Sequence, residues 1–228
     1  MKGTRTLALV ALAADAVLSA AAYRLLPERV PIHWNLSGQV DRHGSKLELA
    51  LFGPLAIAGV WALLLLLSRI DPRLADRPRG ELPDATPGES EGSYWTIIHL
   101  VVVALVLLHG GIILSASGLV RGPDRLLAVG LALLLLLPGN FMGRLRPNWF
   151  VGIRTPWTLA SDDVWRRTHR LAAGLMVGGG LLLLPLALLL PPSRAVVAAV
   201  VITLLATLGP AGWSYFAWRE VRRGTVPR

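Results

Sequence analysis

The side chains that could do chemistry in this chain are few, and several stand in surroundings that do not suit them. His33, Asp41 and His43 fall within "HWNLSGQVDRH". Imidazole plus carboxylate is a zinc-type donor set, and three such ligands would leave one position open. Their spacing matches no established ligand pattern, so a ligand-facing or structural loop competes, and the expectation is no bound metal and no cofactor. Asp15 and His109 each lie deep in an apolar run. Ionisable groups in such places point by default to a functional pair or a proton path. A neutral histidine at a close helix contact beside Gly110-Gly111 is the alternative for His109. Arg154 stands between two tryptophans in "NWFVGIRTPWTL", residues 148–159. Its planar fork could grip a carboxylate or a partner's backbone carbonyls, held by Trp149 and Trp157. Equally, it could be a cationic anchor stacked on an interfacial tryptophan. No Ser/His/Asp order, phosphate-binding glycine loop or paired-carboxylate motif is visible, and there is no cysteine. The expectation is a protein that is not an enzyme.

The elements that must position these groups are apolar runs. The hydrophobic share is 54 % and the charged share 16 %, against about a quarter charged in a soluble domain. Stretches of roughly 17–25 apolar residues suffice for a helix to cross a ~30 Å hydrocarbon core. Candidates are Leu7–Leu26, Leu49–Ser68, Trp95–Leu119, Leu126–Met142, Leu171–Leu190 and Ala195–Trp218. In lipid a lone run must satisfy its own backbone, so each reads as a helix. The expected fold is an all-α polytopic membrane protein with six transmembrane helices.

Charge sets the expected orientation. With the N-terminus inside, sixteen of the 23 Lys and Arg fall on the cytoplasmic side and seven outside, so both termini are expected in the cytoplasm. A basic face against anionic lipid accounts for the net charge of +9 with no direct nucleic-acid partner. Lys2, Arg5 and "AAA" at 20–22 also resemble a cleavable signal peptide, but Asp15 interrupts its apolar region and costs roughly 2.5–3.5 kcal/mol near a helix centre. Three regions follow: 1–70 with two spans and an outer loop, a flexible cytoplasmic linker at 71–94 rich in proline and acid, and 95–228 with four spans. In the outer loop Pro27 and Pro31 keep the chain extended, and "NLSG" and "RHGS" supply turns.

Around the second half the local signals are denser. Asp124 reads as an N-cap of the fourth span, and Pro138-Gly139-Asn140 as a break near its end that packs on something polar. Thr155 before Pro156 forbids a continuous helix there. Ser161 reads as a new N-cap with Asp162 and Asp163 in the first turn, and Asp162–Arg166 and Asp163–Arg167 as acid-first pairs. Trp165 and His169 share another face. The segment reads as an interfacial turn and a short amphipathic helix before the fifth span, with Trp149, Trp157 and Trp165 at headgroup level. "LGPAG" at 208–212 is expected to kink the last span.

These residues carry a resemblance. Gly139-Asn140 followed by "RPNWFVGIRTPWTLASDDVWRRTH" resembles the signature of the SdpI family of bacterial membrane proteins, over roughly residues 138–215. "LPERVPIHWNLSGQVDRHGSK" is similar to the PxHWN-type domain of unknown function that often precedes it, over roughly 13–60. The resemblance implies a multi-pass plasma-membrane protein of the immunity and signalling type. Its partners would be a secreted peptide toxin, a cytoplasmic transcriptional repressor and membrane lipids. By motif, the implied partner- or ligand-binding positions are Asn140, Asn148, Gly152, Arg154, Thr155, Trp157, Thr158, Trp165 and His169, with His33, Asn35, Gly38 and Asp41 outside. The rival classes are a small-solute or proton-coupled transporter using Asp15 and His109, and a membrane metalloenzyme on His33, Asp41 and His43.

Overall fold

The computed structural model describes residues 2–35, 40–70, 89–120 and 123–224. In chain order these form α1 (Lys2–Ala22), β1 (Arg29–Trp34), β2 (Val40–Ser45), a π-helical turn (Glu48–Phe52), α2 (Gly53–Arg69), α3 (Glu89–Ala116), α4 (Pro123–Met142), α5 (Pro156–Ala160), α6 (Asp162–Leu189) and α7 (Pro192–Arg223). The chain is a multi-pass membrane protein: among the described residues five helices are long and apolar enough to cross a bilayer. The fourth expected span differs from the other five. Its apolar stretch is Ala128–Met142, which at 1.5 Å per residue rises only about 22 Å, short of a ~30 Å core. The helix around it begins at Pro123, so Asp124 lies inside the first turn; its side chain is outside the described residues. Most of the expected linker is also outside them, and α3 already starts within it at Glu89.

The helices pack in series: α1 against α3, α3 against α4, α4 against α6 and α6 against α7, with α2 laid on α3. Ile98, Val102, Leu135, Trp165 and Leu183 belong to the main core. Helices α4, α6 and α7 each continue through an internal proline, at 138, 185 and 210. The span runs on through Pro138 to Met142, as its length requires, and Gly139 is buried against Met176 and the backbone of Val177. Asn140 is exposed.

The outer loop adds one small hairpin to an otherwise helical fold, which the all-α reading did not foresee. It is an antiparallel hairpin, with Val30 opposite Gly44, Pro31 opposite His43 and Trp34 opposite Val40. The register shifts between Pro31 and His33, where a residue without an N–H is tolerated. "RHGS" is strand, not turn; it lies in β2, whereas Gly38 and most of "NLSG" are outside the described residues. Val30 is fully buried with Leu26, Leu49 and Ile113 in a second, smaller core, which gives the two strands the support an isolated hairpin lacks. The return into α2 starts with a capping box that "SKLE" encodes. Glu48 N–H donates to Ser45 Oγ at 3.1 Å, and Ser45 N–H to Glu48 Oε2 at 2.8 Å. Lys46 Nζ meets Glu28 at 2.6 Å, and that hydrogen bond holds the ammonium above its usual pKa.

Candidate functional site

The segment between α4 and α6 is held from within. Asn148 is fully buried, and all four hydrogen-bonding positions of its amide are used. Oδ1 accepts from the N–H groups of Phe150 (3.0 Å) and Val151 (2.6 Å); Nδ2 donates to the carbonyls of Arg146 (3.0 Å) and Val151 (2.9 Å). A short amide that bonds the backbone two and three residues on builds a turn by itself. The turn is then docked on α6. Trp165 Nε1–H donates to the Leu145 carbonyl at 2.7 Å, and Ile153 N–H donates to His169 Nε2 at 3.0 Å. His169 Nδ1–H in turn donates to the Trp165 carbonyl at 2.9 Å. Because Nε2 accepts and Nδ1 donates, the ring here is the neutral imidazole in one tautomer. Its plane stacks on Trp165 with 4.0 Å between centroids and 19° between planes.

The next residues form a second lock. Thr155 is extended and caps α5, with Pro156 at the first helical position. Thr158 N–H donates to Thr155 Oγ1 at 3.2 Å, and Thr155 N–H donates to Thr158 Oγ1 at 2.9 Å. Thr158 is fully buried and its hydroxyl lies 2.9 Å from the Ile153 carbonyl. Ser214 on α7 donates to the Ala211 carbonyl at 2.5 Å. That leaves Thr155 as donor in its 3.0 Å contact with Ser214 Oγ. Ser161 caps α6 through Val164 N–H, as its type and position imply. The amphipathic stretch and the fifth span are one continuous helix, and the separate short helix is α5.

Most of the motif residues therefore build the segment. Gly152, Arg154 and Trp149 are exposed, and Trp157 is half-buried. Two expectations about rings and charges change. Trp165 does not present its ring at the protein surface: it is fully buried, and its indole N–H meets the Leu145 carbonyl inside. Trp157 packs edge-on against Tyr215, with 5.1 Å between centroids, not around Arg154. The acid-first pairs also shift. Arg166 meets Asp163 at 3.3 Å, one position closer than expected, and Arg167 reaches Glu220 on α7 at 2.6 Å. Arg167 also lies over the Trp213 ring at 5.5 Å. Sequence reasoning has no means of finding Ser214 or Glu220, whose bonds span 59 and 53 residues.

At the other end of the molecule, Asp15 and His109 do meet. Both carboxylate oxygens of Asp15 lie 2.9 Å from His109 Nδ1, and His109 Nε2 is 3.0 Å from the Leu49 carbonyl. A carbonyl only accepts, so Nε2 carries a proton and a second proton is shared with Asp15. The carbonyl is available for a local reason. In a π-helical turn Leu49 would accept from the residue five on, and that residue is Pro54, which has no N–H. Gly53 leaves room for the ring, since a Cβ there would overlap Nε2. One imidazole thus joins α1, α3 and the turn after the hairpin.

On the hairpin, His33 Nδ1 is 2.6 Å from Asp41 Oδ1 and both side chains are exposed. His43 faces Pro31 across the strands. Among the described residues no group of three or more His, Asp and Glu is arranged to hold a metal. Asn35 is half-buried at the end of β1.

Comparison with known proteins gives three matches. Residues 144–214 match the SdpI/YfhL protein family, and residues 10–58 match a domain of unknown function, DUF1648. The chain is 24 % identical over 155 residues to the Immunity protein SdpI of Bacillus subtilis (strain 168), covering 68 % of this chain and 67 % of that protein. No solved structure matches. The resemblance in "NWFVGIRTPWTL" and in the hairpin is thereby confirmed, and the segment locked by Asn148, Trp165 and His169 is the core of the first matched region.

Proposed function

With an SdpI/YfhL segment at residues 144–214 as the premise, we propose that this chain is an integral-membrane immunity protein against a secreted toxic peptide. The similarity to a curated immunity protein over two thirds of both chains carries this reading. In it, α4 completes a set of six spans, both termini lie in the cytoplasm, and α5 with the start of α6 lies at the inner interface. The hairpin faces outside as the peptide-sensing end. The locked segment faces inside, where Arg154 is the exposed guanidinium offered to a cytoplasmic repressor. Ligand at one end can alter capture at the other only by favouring one of two packings. The Asp15–His109–Leu49 junction is the place where hairpin and helices are joined. Its three groups bond one another, which favours a joint over a transport pathway.

Survival is the direct test. The chain is expressed in a host sensitive to secreted antimicrobial peptides; protection that falls on Arg154→Ala or His33→Ala is expected, and no protection against any peptide rejects the reading. Orientation is tested separately. The chain has no cysteine, so single cysteines at Val40 and Ala160 label cleanly. Label reaching Ala160→Cys from outside intact cells would reverse the two ends.

A further inference from the structure

A cavity of about 390 Å³ lies between the hairpin and the helices beneath it. Pro31, Ile32, Phe52 and Ile112 supply apolar walls, and buried His109 closes the inner end. Two charged residues line it, Arg42 and Glu48, both exposed. They are not equivalent. Glu48 Oε2 is engaged by the Ser45 N–H and lies 3.4 Å from Ser45 Oγ, whereas Arg42 has no ion pair or ring contact among the described residues. A pocket of this size accepts a small ligand, and its chemistry is asymmetric: an apolar interior with one guanidinium at the exposed end that has no ion pair among the described residues.

We propose that this cavity binds the C-terminal residue of a peptide, with an apolar side chain inside and the terminal carboxylate on Arg42. A guanidinium matches a carboxylate with two parallel N–H bonds, stronger than a bond between neutral groups. Both strands of the hairpin line the cavity, and among the described residues neither has a further strand beside it; strand edges can pair an extended peptide, which an alkyl chain cannot do. The choice of a peptide rests on the hairpin being the peptide-facing end. The binding test needs neither toxin nor host, so its failure is distinct from a failure of the immunity reading.

Purified full-length protein in detergent is titrated calorimetrically with N-acetyl-glycyl-phenylalanine, with its C-terminal amide, and with decanoate. The free acid is expected to bind roughly tenfold tighter than the amide, the usual effect of one charge-assisted contact. Arg42→Gln should erase that difference and Arg42→Lys keep most of it. Ile112→Trp, which fills the interior, should abolish binding of both dipeptides. Phe52→Ala, which removes a wall at the surface, should weaken both and serves in its place if the tryptophan variant misfolds. Equal binding of acid and amide, no binding of either, or a tenfold preference for decanoate overturns the proposal.

Discussion

Gly152 and His169 compete for nearly the same space. A Cβ on Gly152 would stand 2.5 Å from Nε2 of His169, and 2.9 Å from a methyl carbon of Leu145. The glycine also has φ of +112°, a conformation side chains rarely adopt. Gly152→Ala therefore faces strain and a clash together. It should destabilise the protein by about 2–4 kcal/mol, read as a lowered Tm in detergent and faster amide exchange at 148–155. An unchanged Tm would mean that the ring is not docked on Ile153.

Trp165→Phe keeps a ring against His169 but deletes the donor to Leu145. The carbonyl is left without its partner, a loss of about 1–3 kcal/mol. Thr158→Val is the matching probe of the second lock: nearly the same shape, no hydroxyl, a similar loss. The two should add within about 0.5 kcal/mol if the locks are independent; strong coupling in a double-mutant cycle would show them to be one unit.

Removing one partner of the intramembrane pair should cost more than removing both. Asp15→Leu leaves a buried imidazole nitrogen unpaired and should cost about 3–5 kcal/mol. The double variant Asp15→Leu, His109→Leu should recover part of that loss, because no uncompensated polar atom remains except the Leu49 carbonyl. Equal unfolding midpoints for the two variants would argue against a paired state.

Arg154→Ala behaves in the opposite way. The side chain is exposed, so stability should change by no more than about 0.5 kcal/mol, while capture of a cytoplasmic regulator by membranes should fall. A large loss of stability would instead make Arg154 part of the scaffold.

Local signals are legible in the amino-acid order. Ser161 caps where its type and its two following aspartates place it, Thr155 stops the chain where Pro156 demands, and Trp165 and His169 share a face because they are one turn apart. Burial and distance are not legible in the same way. Three tryptophans in one segment look alike in sequence, yet Trp165 is fully buried with its N–H on the Leu145 carbonyl, whereas Trp149 is exposed and Trp157 half-buried. The hairpin is hidden because β2, "VDRHGS", has no alternation, and its strands are supported by one face of β1. "SKLE" does carry a capping box, masked by the turn-forming residues around it. The meeting of Asp15 and His109, 94 residues apart, follows from helix packing that no periodicity encodes.

The bond from Thr155 to Ser214 gives the last helix a second duty. Ser214 stands one turn beyond Pro210 in α7, so the loop carrying Arg154 is braced sideways by the tail of the molecule. A chain cut after α6 would retain the Asn148 turn and the His169 clasp, and would lose its strut.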